Sequence, residues 1–465
     1  MMMKMNRLRK INKIRLSKMT KKTSTQTAFA LDDNGRGIVR IDDKTIFIDN
    51  LLPEEKATIT TTYKYGKLKC ATLDKRLSTS SDRAIPKCRY YDSCGGCNLM
   101  HLAYPKQLKY KQQKVQNLLH KFAHVDVEVN PTIGLENPYN FRNKIQVPVR
   151  LNSHGKIITG FFKQNSHDII DIDECLIEDN RARPLLNTIK KNMKLFSVLP
   201  YDENSHSGIV RHIIIRTSLH FSEIMVVLVT TKTDFPNKKG FVGNIIKECP
   251  QITTLIQNVN PLKTNVILGK KEFVLHGPGY IQDTILGKKF LISSLSFYQT
   301  NPTQTERLYK VALDEAKISN KTTVLDAYSG IGTIGICAST KAQNVTCVEI
   351  VSSAVKDAKN NAKLNNIKNI NFIKADCTDF IINNDVEYDV VFLDPPRKGS
   401  TPQFLNALKE ICPKRIIYIS CNPVTLARDL TFLLDKYDIS SVTPVDMFPQ
   451  SAHVECVTLM SRVEK

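Results

Sequence analysis

Val324-Leu325-Asp326-Ala327-Tyr328-Ser329-Gly330-Ile331-Gly332-Thr333-Ile334-Gly335 decides how the last third of the chain folds. An apolar stretch runs into a glycine-rich turn, and a helical pattern follows. Glycine lets a backbone approach a ligand closely at the carboxyl end of a strand. Nineteen residues after Gly330, Glu349 closes the next apolar stretch. There a carboxylate can accept hydrogen bonds from both hydroxyls of a ribose. The same spacing suits a nicotinamide dinucleotide. A tight turn would produce it with no ligand at all.

Outward from this stretch the alternation continues. Apolar runs at residues 323–326, 344–349, 371–374, 388–393 and 415–420 are separated by helical patterns. Such a series predicts βαβ units and a parallel, doubly wound sheet over residues 286–465. Residues 83–285 read as α+β, with a helix expected over 105–122 and strands over 208–216 and 223–230. Residues 24–82 read as a small antiparallel barrel. Its cues are Gly35 and Gly37 at a turn, Ile46-Phe47-Ile48, the Leu51-Leu52-Pro53 break and the Thr-rich run 57–63. The polar stretch 78–87 marks a boundary. A length of 465 residues suits roughly three domains.

Lys and Arg number 66 against 45 Asp and Glu, a formal net charge of +21. Such a balance predicts an anionic partner, nucleic acid first, because phosphates dominate that kind of affinity. A solvated basic surface gives the same count. Residues 1–22 hold nine Lys or Arg and no acid. The arm over residues 1–23 lacks the continuous apolar core of a secretory leader. It reads as an organellar presequence or as a disordered arm that touches RNA, and Met19 is an alternative start. No run approaches 18 apolar residues, so no membrane span is expected, and a cytoplasmic protein is. The 12 Cys of such a chain are not expected to form six disulfides. Cys70, Cys249, Cys337, Cys347, Cys377, Cys412 and Cys456 read as core residues.

Four further motifs carry chemistry. Asp394-Pro395-Pro396-Arg397-Lys398-Gly399 follows the apolar run that ends at Leu393, so Asp394 is expected at the ligand edge of the sheet. Enzymes that methylate exocyclic amines carry an aromatic residue after such a Pro-Pro. Arg397 stands there instead, which counts against that chemistry. Ser420-Cys421-Asn422-Pro423 ends another apolar strand. A cysteine at a strand tip beside a cofactor is placed like a nucleophile, although a lone strand cysteine is more often packing. His453-Val454-Glu455 can bring a carboxylate to the same edge. Cys88, Cys94 and Cys97, on a loop with Gly95 and Gly96, have the spacing of soft-metal ligands, and Cys175 is the best candidate for a fourth. A four-cysteine zinc site is the alternative.

Together these motifs resemble the bacterial RNA (uracil-5-)-methyltransferase family, from about residue 24 to the C-terminus. The resemblance implies a multidomain α/β protein. Its parts would be an N-terminal OB-like β-barrel (a TRAM domain) over 24–82, a central α+β domain with the four-cysteine site over 83–285, and a C-terminal Rossmann-like class I methyltransferase domain over 286–465. It implies S-adenosylmethionine as cofactor. Phe297-Tyr298-Gln299-Thr300-Asn301 matches the start of the family's methyltransferase domain. Gln299, Tyr328, Glu349 and Asp394 match cofactor-binding positions, and Asp376 is a weaker match near the adenine. Cys421 matches the nucleophile that adds to carbon 6 of uracil. Glu455 matches the base that removes the carbon-5 proton. Cys88, Cys94, Cys97 and Cys175 match 4Fe–4S ligands of the branch acting on 23S rRNA. The tRNA branch generally lacks both that cluster and the TRAM domain, so 23S rRNA is the favoured partner. The same chemistry on tRNA, and a non-enzymatic RNA-binding iron–sulfur sensor, are the alternatives. The Pro-Cys and Thr-Cys-Ser signatures of cytosine-5 methyltransferases are absent. Neither a protein partner nor a membrane is implied.

Overall fold

The computed structural model describes residues 22–463 apart from 66, 67, 165, 167 and 385, so the basic arm up to residue 21, with Met19, lies outside the described residues. The chain divides into two units. One holds residues up to Tyr91, Gly96–Tyr110 and Gln450–Ala452. The other holds Asp92–Gly95, Lys111–Pro449 and the residues from His453 onward.

In the first unit, β-branched runs broken by turns form β1 (Lys22–Thr27), β2 (Ala30–Leu31), β3 (Gly37–Ile41), β4 (Lys44–Ile48), β5 (Lys56–Tyr65) and β6 (Leu68–Arg76). They make one sheet in the order β1-β5-β6-β4-β3-β2. No pairing among the described residues joins β1 to β2, so the sheet order is open and the expected barrel closure is not shown. Val39, Ile46, Ile48, Leu51 and Ile59 form its core. Glu55 is fully buried and accepts from Arg83 Nη2 at 2.7 Å, Arg76 Nε at 3.2 Å and the Leu52 amide at 2.9 Å. Burial pushes its carboxyl up, but these bonds, led by Arg83, outweigh it and leave the pKa below the ordinary value.

The helix expected over 105–122 is α1 (Tyr104–Leu118), which continues as a π turn over Leu119–Ala123. The second unit opens with a mixed sheet of β7 (Lys144–Leu151), β8 (Ile157–Phe162), β9 (Ile169–Asp171), β10 (Val210–Thr217), β11 (Ile224–Thr230), β12 (Thr254–Val259) and β13 (Lys271–His276). Its order is β13-β12-β11-β10-β7-β8-β9. Alternate residues Ile145 and Val147 of β7 and Ile213 and Ile215 of β10 pack under α2 (Ala182–Leu195) and α3 (Lys238–Glu248). A hairpin, β14 (Tyr280–Ile285) and β15 (Lys288–Ser293), leads to α4 (Pro302–Ala316).

The doubly wound sheet follows as expected. It contains β16 (Thr323–Ala327), β17 (Asn344–Glu349), β18 (Ile370–Lys374), β19 (Val390–Leu393), β20 (Arg415–Ser420), β21 (Tyr437–Val445) and β22 (Glu455–Arg462). Between them lie α5 (Thr333–Ala338), α6 (Ser352–Leu364), α7 (Cys377–Ile382), α8 (Pro402–Ile411) and α9 (Pro423–Leu430). The order β18-β17-β16-β19-β20-β22-β21 is parallel up to β20, and β22 runs antiparallel to both of its neighbours. Helices α4, α5 and α6 cover one face. Helices α8 and α9 cover the other. Burial on both faces explains why Val390-Val391-Phe392-Leu393 is a continuous apolar run with no exposed residue. Strand order reverses between β16 and β19, which makes the carboxyl ends of those strands the place for a ligand. Among the described residues no helix is long and apolar enough to cross a membrane.

Candidate active site

Sheet register assembles the site. Ala327 pairs with Val348 on one side and Leu393 on the other, so Tyr328, Glu349 and Asp394 leave the sheet at one edge. Ser420 of β20 pairs antiparallel with Cys456 of β22. One step further, Cys421 leaves its strand opposite Glu455, where β22 begins. An antiparallel strand is needed for this, because a parallel one would end rather than begin at that edge.

The turn after β16 is shaped to receive a ligand. Tyr328 takes a left-handed backbone (φ 64°), unusual for a residue with a side chain, and its ring packs 5.4 Å from Phe404. Gly330, at φ 54°, faces open space where a Cβ would stand. The Gly330 amide donates to Glu349 Oε2 at 3.0 Å, and the Val351 amide donates to Oε1 at 2.7 Å. Glu349 is thereby oriented, with lone pairs left for a ribose. Asp326, buried beneath, accepts from the Gly335 amide at 2.8 Å through Oδ2, while its Oδ1 has no partner. Burial raises its carboxyl to about 7. The open cradle, the oriented carboxylate and the orphaned oxygen fit S-adenosylmethionine.

Asp394 is half-buried at the end of β19, and burial raises its carboxyl to about 7. Glu455 is 4% exposed. Burial first, then the Asp394 charge, raises it to about 8, with Arg397 working against both. Burial and the charges of Glu455 and Asp394 also push the Cys421 thiol up, and Arg397 pulls it down. Two acids, a thiol and one cation are therefore electrostatically coupled. That is the equipment for covalent addition and proton removal.

The loop bearing Asp394 and Arg397 is pinned from below by Asp429, which is fully buried. Asp429 Oδ2 accepts from Tyr418 Oη at 2.6 Å and from the Ser400 amide at 2.7 Å. Arg428 donates to Oδ1 and, through Nη2, to Lys398 O at 2.9 Å. The Asn422 amide group donates to Arg397 O at 3.1 Å. Gln299 is buried in the segment before α4, while Phe297 is exposed. Asn301 caps α4 and donates to Met447 O at 3.0 Å, and Gln304 donates to Asp446 O at 3.1 Å. The buried Lys111 ammonium pairs with Asp446 and donates to Phe448 O at 3.1 Å. The motif around Gln299 and the segment leading to Glu455 are thus one hydrogen-bonded body. Sequence reading missed Asp429, Lys111 and Asp446, since nothing local marks a buried carboxylate or a partner 335 residues away.

Other expectations fare differently. Asp376 is exposed and accepts from the Thr378 and Asp379 amides as the cap of α7. A concavity of about 900 Å³ along the β18 edge is lined by none of the candidate residues. Cys88 and Cys97 belong to the first unit, Cys94 and Cys175 to the second, and no disulfide joins them. Four thiols are the right donors for a soft metal. Yet no group of three or more His, Cys, Asp or Glu among the described residues could hold a metal ion. No cluster is shown at Cys88, Cys94, Cys97 and Cys175 among the described residues, and no chemistry is routed through one.

Comparison with known proteins agrees with this geometry. A family model described as tRNA (uracil-5-)-methyltransferase matches residues 270–463. An uncharacterized RNA methyltransferase of Staphylococcus epidermidis is 40% identical over 451 residues, 96% of this chain and 99% of that one. A Staphylococcus aureus protein of the same description is 41% identical over 445 residues, covering 94% and 97%. The crystal structure of the Pyrococcus abyssi tRNA (uracil-54, C5)-methyltransferase in complex with S-adenosyl-L-homocysteine is similar with a TM-score of 0.76 and 26% identity, over 94% of this chain and 100% of that one.

Proposed function

Because the chain belongs to the RNA (uracil-5-)-methyltransferase family, we propose that it methylates carbon 5 of a specific uridine in 23S rRNA, with Cys421 as nucleophile and Glu455 as base. Methylation of RNA at uracil carbon 5 with S-adenosylmethionine is the family's activity. The target and the residue roles are our reading. The observation that carries the roles is the β20–β22 register, which sets Cys421 across from Glu455 beside Asp394.

Carbon 5 of uracil is a poor nucleophile. In our reading the Cys421 thiolate forms a bond to carbon 6, and the displaced π electrons move to O4 as an enolate. Carbon 5 is then nucleophilic. Bound S-adenosylmethionine supplies an electrophilic methyl group, for which Gln299, Tyr328, Glu349, Asp394 and, more weakly, Asp376 are the proposed cofactor residues. The Glu455 carboxylate takes the carbon-5 proton. The carbon 6–sulfur bond then breaks, the Cys421 thiolate leaves and conjugation returns. Arg397 favours the thiolate before addition and again on release. The base must leave its stack to reach this edge, which costs least in a loop or single strand.

We assign RNA binding to residues 24–82, the central domain to 83–285 and catalysis to 286–465, in the cytoplasm. The iron–sulfur cluster at Cys88, Cys94, Cys97 and Cys175 rests on cysteine spacing and on the family resemblance. Anaerobic purification with iron and sulfide analysis tests it: equal amounts of both are expected, and zinc or no metal overturns it. A second reading, tRNA as substrate, is favoured by the likeness to the Pyrococcus abyssi enzyme. Tritium release from RNA transcribed with 5-tritiated uridine decides between them. Cofactor-dependent release from 23S rRNA, lost in Cys421→Ala, is expected. Release from tRNA alone overturns the target and keeps the chemistry.

A further inference from the structure

The face of the central sheet turned away from α2 and α3 packs into a large apolar core through Ile214, Met225, Val227 and Ile256, and beside that core it carries cations. Alternation along β7 and β10 puts Lys144 and Gln146 there with Ile214 and Arg216. Arg216 pairs directly with Lys144 across the strands. Like charges in that relation repel. Arg216 is 2% exposed. Its Nη2 donates to Ser296 O at 3.0 Å, while its Nη1 is buried with no partner. The titratable neighbours of Lys144 are Arg216 and Arg142, both cations, and that of Arg216 is the Tyr298 phenol, which burial keeps neutral. Among the described residues neither forms an ion pair with a carboxylate. Burial together with its cationic neighbours lowers Lys144 to about 8, and burial lowers Arg216 to about 10.

Burying an unpaired charge is costly, so a chain that keeps one generally has an anion for it. Position identifies the anion. Ser296 directly precedes exposed Phe297 and lies three residues before Gln299, so the cations border the segment tied to the catalytic edge. We propose that Lys144 and Arg216 form a phosphate site that holds the RNA backbone beside the target uridine. The proposal rests on the RNA reading above and goes beyond it by naming the contact. A guanidinium with a spare N–H next to an ammonium suits a phosphodiester, which offers two charged acceptor oxygens. The Arg142 Nε donates to Lys144 O at 3.0 Å, which keeps a third positive charge close by.

The test is the salt dependence of binding to a 23S rRNA transcript at equilibrium, read beside tritium release, for wild type, Lys144→Ala, Lys144→Arg and Arg216→Lys. Each lost contact to a single strand lowers the slope of log affinity against log salt by about 0.7. Lys144→Ala is expected to show that drop, with a Kd about tenfold weaker near physiological salt. Lys144→Arg is expected to restore both. Arg216→Lys, which keeps the buried charge but loses the fork, is expected to weaken binding with the slope preserved. Lys144→Gln replaces the Ala variant if thermal unfolding shows that the latter does not fold. An unchanged slope in the folded Lys144 variant overturns the site. Weaker binding of S-adenosylmethionine with unchanged RNA binding overturns it in favour of the cofactor carboxylate. Wild type that binds RNA with this salt dependence but releases no tritium from 23S rRNA or tRNA overturns the enzymatic reading instead.

Discussion

Gly399→Ala should damage both stability and rate, by amounts that can be separated. Gly399 closes the loop carrying Asp394 and Arg397 with φ at 77°. An added Cβ would stand 2.4 Å from Asp429 Oδ2 and 2.5 Å from Arg428 Nη2. Arg428 is half exposed and can give way, but Asp429 cannot, since it is buried and clamped by Tyr418, the Ser400 amide and Arg428. The left-handed backbone alone costs about 1–2 kcal/mol with a side chain. Overpacking against a fixed network adds about 1–3 kcal/mol. Gly155 is the control: its φ is 72° and nothing lies within 4 Å of its Cβ position. Gly155→Ala should show only the first cost. Urea unfolding of both variants reads the difference. Tritium release reads the consequence for the loop, where misplacing reacting groups by about 1 Å costs about a hundredfold. The Gly155 variant should keep the wild-type rate. Equal destabilisation of the two variants, or a full rate in Gly399→Ala, would refute the pinned-loop reasoning.

Glu455→Gln should slow turnover by about 10²–10⁴-fold and leave an RNA–protein adduct visible on denaturing gels, because elimination waits on the carbon-5 proton; no adduct with Cys421 intact speaks against the paired roles. Burial and Asp394 raise Glu455 to about 8, above its unfolded value, so its protonated form stabilises the fold at low pH and that contribution is lost as pH rises through about 8. Wild type should therefore lose more stability between pH 7 and 9 than Glu455→Gln, a difference that parallel denaturation curves check. Lys111→Met should cost about 3–5 kcal/mol by stranding the buried Asp446 charge, and adding Asp446→Leu should recover much of it; equal losses in the single and double variants would contradict the pair. Glu55 sits below its ordinary pKa because of Arg83, so its contribution is present above about pH 4.3 and is lost as pH falls through its folded value. Glu55→Gln should flatten the acid limb of the stability profile, and an unaltered limb would remove Glu55 from the account.

Local pattern settled a good deal. The strands at 344–349 and 415–420 were legible to the residue, because strands buried on both faces must be apolar throughout and the turns between them must be polar. The positions of Glu349, Asp394 and Cys421 at the sheet edge were legible for a related reason: each stands at the end of an apolar strand, and a residue leaving a parallel strand leaves it at the ligand edge. Glu455 was read from the sequence as a carboxylate that could reach the same edge, but a role for it came only through resemblance, since a carboxylate that begins a strand has no local mark. Asp376 also has a plainer account, as the cap of a short helix. For the cysteines the signal was spacing. Spacing along a loop says which thiols can meet, not that they do.

By itself, then, the sequence determined the βαβ series, the order of the motifs and the basic balance, all of which depend on neighbours in the chain. Tertiary structure decided the rest. It turned β22 antiparallel so that Glu455 begins where Cys421 ends, buried Asp429 under the Asp394 loop, and joined Lys111 to Asp446. It also set Arg216 against Lys144, with neither in an ion pair with a carboxylate among the described residues. These are energies of burial and charge between residues far apart in the chain, and burial is defined only once the sheets have packed.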